Sequence, residues 1–182
     1  PSGTGKGTVC KAVRDSLGDN LAYSISATTR KPRTGEEHGR EYFFFSKEEF
    51  EALRDQNGFL EWAQVYDNYY GTPRAFVEEV LASGRDCILE IDPQGALQVR
   101  KATSEAVLVF IAPPSLEELR ARVTGRGTEA PEEVEKRLSC AEAELAYSNQ
   151  YDYLIVNDEV EKAAEKMKAI LMAERCRTNR IN

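Results

Sequence analysis

The chain opens on PSGTGKGT and passes directly into VCKAVRDSLG, and this junction constrains the fold more than any other stretch. Closely spaced glycines let a backbone run close to an anion, while the first N–H groups of a helix and its dipole point at the same place. Lys6 adds a charge and Thr8 a hydroxyl at the helix start. Val9, Val13 and Leu17 recur at helical spacing and Gly18 ends the run, so a helix is predicted from the loop to about residue 17. The loop approximates GxxxxGK[ST] with two departures: its first Gly would precede Pro1, and Gly7 follows Lys6, delaying the hydroxyl to Thr8. Ser2, Gly3, Thr4, Gly5, Lys6, Gly7 and Thr8 are the candidate phosphate-binding residues, with a chance Gly-rich turn as the alternative. In such folds a buried parallel strand leads into the loop; none precedes Pro1, so the sequence reads as lacking that N-terminal strand.

Three apolar runs, CILEI (87–91), AVLVFI (106–111) and YLIV (153–156), each precede a segment of helical pattern. That order predicts an α/β protein, a parallel sheet flanked by crossover helices. Helix starts are marked by Ser46 with Glu49 and Ser115 with Glu118, both fitting the capping box, and by Thr72 as a cap before Pro73. Gly84 closes the helix begun at Pro73. Between about residues 30 and 70 the pattern changes to YFFF and FLEWAQVY around RTGEEHGRE, predicting a small mixed sheet inserted into the core. TGRGTEAPEE, between predicted helices 116–123 and 132–148, reads as a mobile loop, and EVEKAAEKMKAILMAERC as an amphipathic last helix.

Composition narrows the chemistry. With 182 residues and 41% apolar content the chain can bury one sizeable core, and its net charge of -7 argues against a general nucleic-acid binder. One histidine, His38, and four scattered cysteines, Cys10, Cys87, Cys140 and Cys176, provide no CxxC, HExxH or histidine triad. The cysteines are expected to be small buried hydrophobes in a reducing compartment. The longest apolar runs are too short to span a bilayer, so a cytoplasmic protein without membrane contacts is expected.

The order PSGTGKGT, SISATTRKPRTGEEHGREYFFFS, FLEWAQVYDNYYGT, CILEIDPQG, FIAPPS, GRGTE, IVND resembles the guanylate kinases through essentially the whole chain. The resemblance implies transfer of the terminal phosphoryl group of ATP to GMP with Mg2+, in guanine nucleotide metabolism and GMP recycling. It also implies one domain: a core of 1–29, 76–124 and 132–182, a GMP-binding insertion at 30–75 and a short lid at 125–131.

By this resemblance Arg30 and Arg33 grip the GMP phosphate with Tyr42 and Tyr70, and planar guanidinium groups suit that task. Glu61 matches the carboxylate that accepts from guanine N1–H and N2–H, Ser26 and Thr72 the hydroxyls at the base, and Asp92 a carboxylate near guanine and the reacting centre. Glu90 and Asp92 alternate in EID, which predicts both on one side of a strand near its carboxyl end, where α/β ligand crevices lie. On the ATP side Arg122, Arg126 and Arg137 match arginines of the lid and adjoining helices, and Asn157 an adenine contact. Lys6, Arg30, Arg126, Arg137 and Asp92 form the expected catalytic set, with Thr8 as the metal-side hydroxyl. GMP is expected to close the insertion and ATP the lid, excluding water. Read alone, the arginines are also compatible with solvated surface charge, the tyrosines with sheet packing and Asn157 with a strand-end turn. Two other readings share these motifs, a catalytically inactive peptide-binding guanylate-kinase-like module and a kinase for another nucleoside monophosphate.

Overall fold

The computed structural model describes residues 1, 3–124 and 131–180, without the side chains of 131, 133 and 137. In chain order the elements are α1 (Lys6–Leu17), β1 (Leu21–Tyr23), β2 (Ala27–Thr28), β3 (Phe43–Phe44), α2 (Lys47–Asp55), β4 (Phe59–Val65), β5 (Asn68–Pro73), α3 (Arg74–Ala82), β6 (Asp86–Ile88), α4 (Pro93–Ala102), β7 (Val109–Ala112), α5 (Leu116–Thr124), α6 (Pro131–Leu145), β8 (Tyr153–Val156) and α7 (Val160–Arg175). They group into two compact units, Pro1–Leu17 with Val107–Asn182, and Gly18–Ala106.

In the first unit β7 and β8 pair in parallel, Val109 opposite Tyr153 through Ala112 opposite Val156, as the apolar runs predict for a strand pair joined by helices. The predicted strand 106–111 shifts to 109–112 because its partner begins only at Tyr153; Leu108 N–H is taken by Asp152 Oδ2 at 2.8 Å. α1 packs on α7, and α5 on α6 through Leu119, Val123, Val134, Leu138 and Ala141. The helix predicted at 132–148 runs as α6 to Leu145 and continues as a 3-10 turn, Ala146–Gln150.

In the second unit β1 and β6 pair in parallel, Leu21–Tyr23 against Asp86–Ile88. The strand predicted at 87–91 therefore stops at Ile88, where three-residue β1 runs out and Ser24 N–H makes the last bond to Ile88 O at 2.9 Å. Beside this pair stands a four-stranded mixed sheet, order β3-β2-β5-β4, which matches the expected small inserted sheet. It carries its own core: buried Ala27, Phe50 and Phe59, with Phe43, Phe45, Leu53 and Tyr69 against them. Phe50 is the keystone, wholly buried and stacked on Phe59 at 4.3 Å between ring centroids.

Of the expected caps, the Ser46–Glu49 box forms in both directions, and Ser115 Oγ accepts Glu118 N–H at 3.1 Å. Thr72 corrects the sequence reading. It lies within β5, helix α3 starts one residue beyond Pro73, and no side chain caps it, because the Thr72 hydroxyl is committed elsewhere. The cysteines also depart from expectation: Cys10 is buried and Cys87 half-buried, but Cys140 and Cys176 sit on exposed positions of α6 and after α7. Among the described residues no helix is long and apolar enough to cross a membrane.

Candidate active site

The loop before α1 folds as its glycines require. Gly5 holds φ at +84°, a left-handed conformation that disfavours side chains, and its carbonyl accepts Val9 N–H at 3.0 Å to begin the helix. Thr4 is fully buried and donates its hydroxyl to Pro1 O at 2.9 Å. Lys6 Nζ folds back to donate to the same carbonyl at 2.8 Å. Its ammonium is thus held at the loop, and Gly7 and Thr8 lie exposed on the first turn of α1. Asn157 follows β8 and reaches back to this loop, donating from Nδ2 to Thr4 O at 2.8 Å.

Also in this unit, Arg122 Nε donates to Glu118 Oε1 one helical turn away at 2.9 Å. The remaining donor-side expectations, Ser2, Arg126, the 125–131 lid except the backbone of Pro131, and the side chain of Arg137, lie outside the described residues.

In the second unit the sheet register brings Glu61 of β4 opposite Thr72 of β5. Both are buried, and Thr72 Oγ1 donates to Glu61 Oε1 at 2.6 Å. Burial pushes the Glu61 pKa up, the Thr72 hydroxyl opposes that shift, and the nearby Asp92 charge adds to it. No cation pairs with Glu61 among the described residues. Two residues that the sequence does not single out shape this carboxylate. A Cβ on Gly95 would lie 2.9 Å from Glu61 Oε2, so glycine there leaves the oxygen its room. Gln98 of α4 accepts Trp62 N–H and donates to Trp62 O, both at 3.1 Å, acting as a missing strand on the outer edge of β4.

Asp92 is the N-cap of α4, its Oδ1 accepting Gly95 N–H at 2.8 Å. Glu90 and Asp92 correct the sequence reading: β6 ends before both, and they are exposed in the segment between β6 and α4 rather than buried on a strand. Glu90 accepts a hydrogen bond from Tyr23 Oη.

Arg30 and Tyr42 do come together. The guanidinium carbon sits 5.4 Å from the Tyr42 ring centroid, and the Tyr42 and Tyr70 rings meet edge to face at 6.2 Å. A third partner carries no motif of its own: Glu36 receives Arg30 Nη1 and Nη2 on its two oxygens at 3.0 Å each, and Arg33 N–H at 2.8 Å. The fork holds Arg30 protonated and draws the Glu36 pKa down. Arg33 itself is exposed, as expected of a side chain without such a clamp, and Ser26 is half-buried, its carbonyl accepting Phe43 N–H at 2.9 Å. Glu36, only six residues from Arg30, was legible as charge at short range, whereas Gly95 and Gln98 carry no spacing that links them to Glu61.

Comparison with known proteins places this arrangement among related chains. The model of the guanylate kinase family matches residues 1–174. A guanylate kinase from Caldanaerobacter subterraneus subsp. tengcongensis is 54% identical over 180 residues, covering 99% of this chain and 87% of that protein. One from Halalkalibacterium halodurans is 51% identical over 181 residues, covering 100% and 88%. The crystal structure of guanylate kinase from Anaplasma phagocytophilum superposes with a TM-score of 0.73 at 37% identity, covering 93% of this chain and 84% of that one.

Proposed function

The chain belongs to the guanylate kinase family, and we propose how its residues divide the work of that reaction. It is an enzyme that phosphorylates GMP to GDP with ATP as phosphoryl donor. The observation that carries the assignment of roles is the buried Glu61–Thr72 pair. A buried carboxylate without a cation is costly, and guanine repays that cost by presenting two N–H donors side by side. Thr72 engages Oε1 and Gly95 leaves space at Oε2, so Glu61 accepts guanine N1–H and N2–H while Thr72 and Ser26 offer hydroxyls to the same base. Adenine has no donor pair at that edge and is rejected because the carboxylate would stay unpaired.

Arg30, with Arg33, Tyr42 and Tyr70, binds the GMP phosphate. Glu36 fixes one edge of the Arg30 fork and Lys31 O takes the other Nη1 hydrogen at 2.8 Å, which leaves Nε–H and one Nη2 hydrogen to the phosphate. Asp92 sits at the acceptor side as helix cap and as a charge near the base, and Glu90 is a further acceptor-side carboxylate. On the donor side residues 3–8 cradle the ATP phosphates with backbone N–H groups, Lys6 leaves Pro1 O for the phosphates, Arg122 adds charge, and Asn157 Oδ1 faces the adenine amine.

Mg2+ fits this donor set as a substrate-borne ion. Among the described residues no three His, Cys, Asp or Glu side chains cluster to hold a metal, and a hard cation of this kind is commonly held by substrate phosphates with few protein ligands. The Thr8 hydroxyl is the protein ligand at hand, and the bound ion would neutralise phosphate charge. The chain's own part is alignment and charge stabilisation, with no covalent nucleophile.

The test is ADP formation from Mg-ATP with GMP, AMP, UMP or CMP as acceptor. Turnover with GMP alone supports Glu61 as the base reader; comparable turnover with AMP would remove it from that role.

A further inference from the structure

We propose that Asn157 is a positioning residue for the phosphate loop, its side-chain amide setting the loop conformation that holds the donor's phosphates whatever base the donor carries. The inference rests on the reading of residues 3–8 as that cradle. Three observations converge on it. Asn157 is only 2% exposed and its own backbone is pinned, N–H to Ala112 O at 2.8 Å, continuing the β7–β8 pairing by one residue. From this fixed point Nδ2 donates to Thr4 O at 2.8 Å, across 153 positions of sequence. A Cβ on Gly5 would meet that same Nδ2 at 2.6 Å, so the amide fills the space that the glycine leaves open beside its left-handed φ of +84°.

The amide therefore meets the loop twice, by hydrogen bond at residue 4 and by contact at residue 5, where the backbone turns toward α1. Peptide groups here are the ligands themselves, so a rotation at residues 4 and 5 re-aims the N–H groups that follow. Oδ1 of the same amide is buried and has no hydrogen-bond partner among the described residues. A buried amide oxygen calls for a partner, and in the proposed reading the bound donor supplies it. One end of the side chain faces the ligand, and the other holds the loop.

The experiment uses the 182-residue chain with Asn157→Ala and the near-isosteric Asn157→Leu, whose side chain has no donor for Thr4 O. Hydrogen exchange of the amides of residues 4–8 is measured without nucleotide, and KM is measured for ATP, for GMP and for ITP, which carries a carbonyl where adenine has its amine. The expected result is faster loop exchange in both variants, with strands β4 and β5 unchanged. KM should rise about tenfold for ATP and also clearly for ITP, with KM for GMP unmoved. Loop exchange equal to that of the parent chain, or a KM defect confined to ATP, would overturn the proposal. Lys6→Ala tests the underlying reading separately: normal ATP turnover in that variant would discard the cradle, while the exchange rates in the Asn157 variants would still decide the clamp.

Discussion

On the proposed acceptor side, selectivity rests on side chains facing one another: Glu61 with Thr72 across two strands, and Arg30 with Glu36 and Tyr42. On the proposed donor side the work falls to backbone: Thr4 Oγ1 and Lys6 Nζ hold Pro1 O, Asn157 Nδ2 holds Thr4 O, and these side chains serve to keep that backbone in shape. The difference follows from the ligands. A base edge has a unique donor pattern that only placed side chains can read, whereas phosphates are alike and ask for converging N–H groups. One side can therefore lose discrimination while keeping chemistry, and the other the reverse.

The largest break in that comparison is Lys6→Ala. It should lower kcat about a thousandfold in a coupled ADP assay while leaving GMP affinity in place, because the proposed task of Lys6 is with the donor phosphates. Next, Glu61→Gln should raise KM for GMP about a hundredfold and leave KM for ATP alone, since a neutral amide offers guanine one acceptor and a competing donor. The pH profile sharpens this. The raised pKa of Glu61 keeps it protonated to a higher pH than an ordinary glutamate, so GMP affinity in the parent chain should fall as pH drops through that raised value. The Gln variant should show no such step. Stability moves the other way: the neutral buried carboxyl is the favoured form, so its contribution is full below the unfolded-state pKa and fades as pH rises through the folded one.

A smaller effect separates room from propensity. Gly95→Ala improves the intrinsic helicity of α4 yet places a methyl against Glu61 Oε2, so KM for GMP should rise roughly tenfold while the melting temperature holds or rises. An unchanged KM would mean that Glu61 moves aside freely. Smallest of all, Ser46→Ala removes the capping box of α2, whose partners are Glu49 and the helix's own backbone, and should cost about 1 kcal/mol. In a thermal melt that is a drop of about 2–4 °C with both KM values intact.

The sequence made the loop and its helix legible because glycines, lysine and apolar spacing all lie within one short stretch. It also marked β8, whose four residues match the YLIV run, and the small mixed sheet. It misled where a residue's task is set by a distant partner. Thr72 before Pro73 has every mark of a cap, but strand register puts Glu61 opposite it, and the buried carboxylate takes the hydroxyl. EID looks like a strand end, yet pairing lasts only as long as β1. Gln98 illustrates the general reason: an amide that completes a strand edge from a helix 36 residues away leaves no periodic trace.

The aromatic core of the small sheet has a consequence for how such an enzyme can change over generations. Because Phe50, Phe59 and Tyr69 stack among themselves and close off their own interior, the elements that read the acceptor are furnished with their own foundation. A lineage can rework the proposed acceptor pocket in small steps while the aromatic core beneath it stays in place.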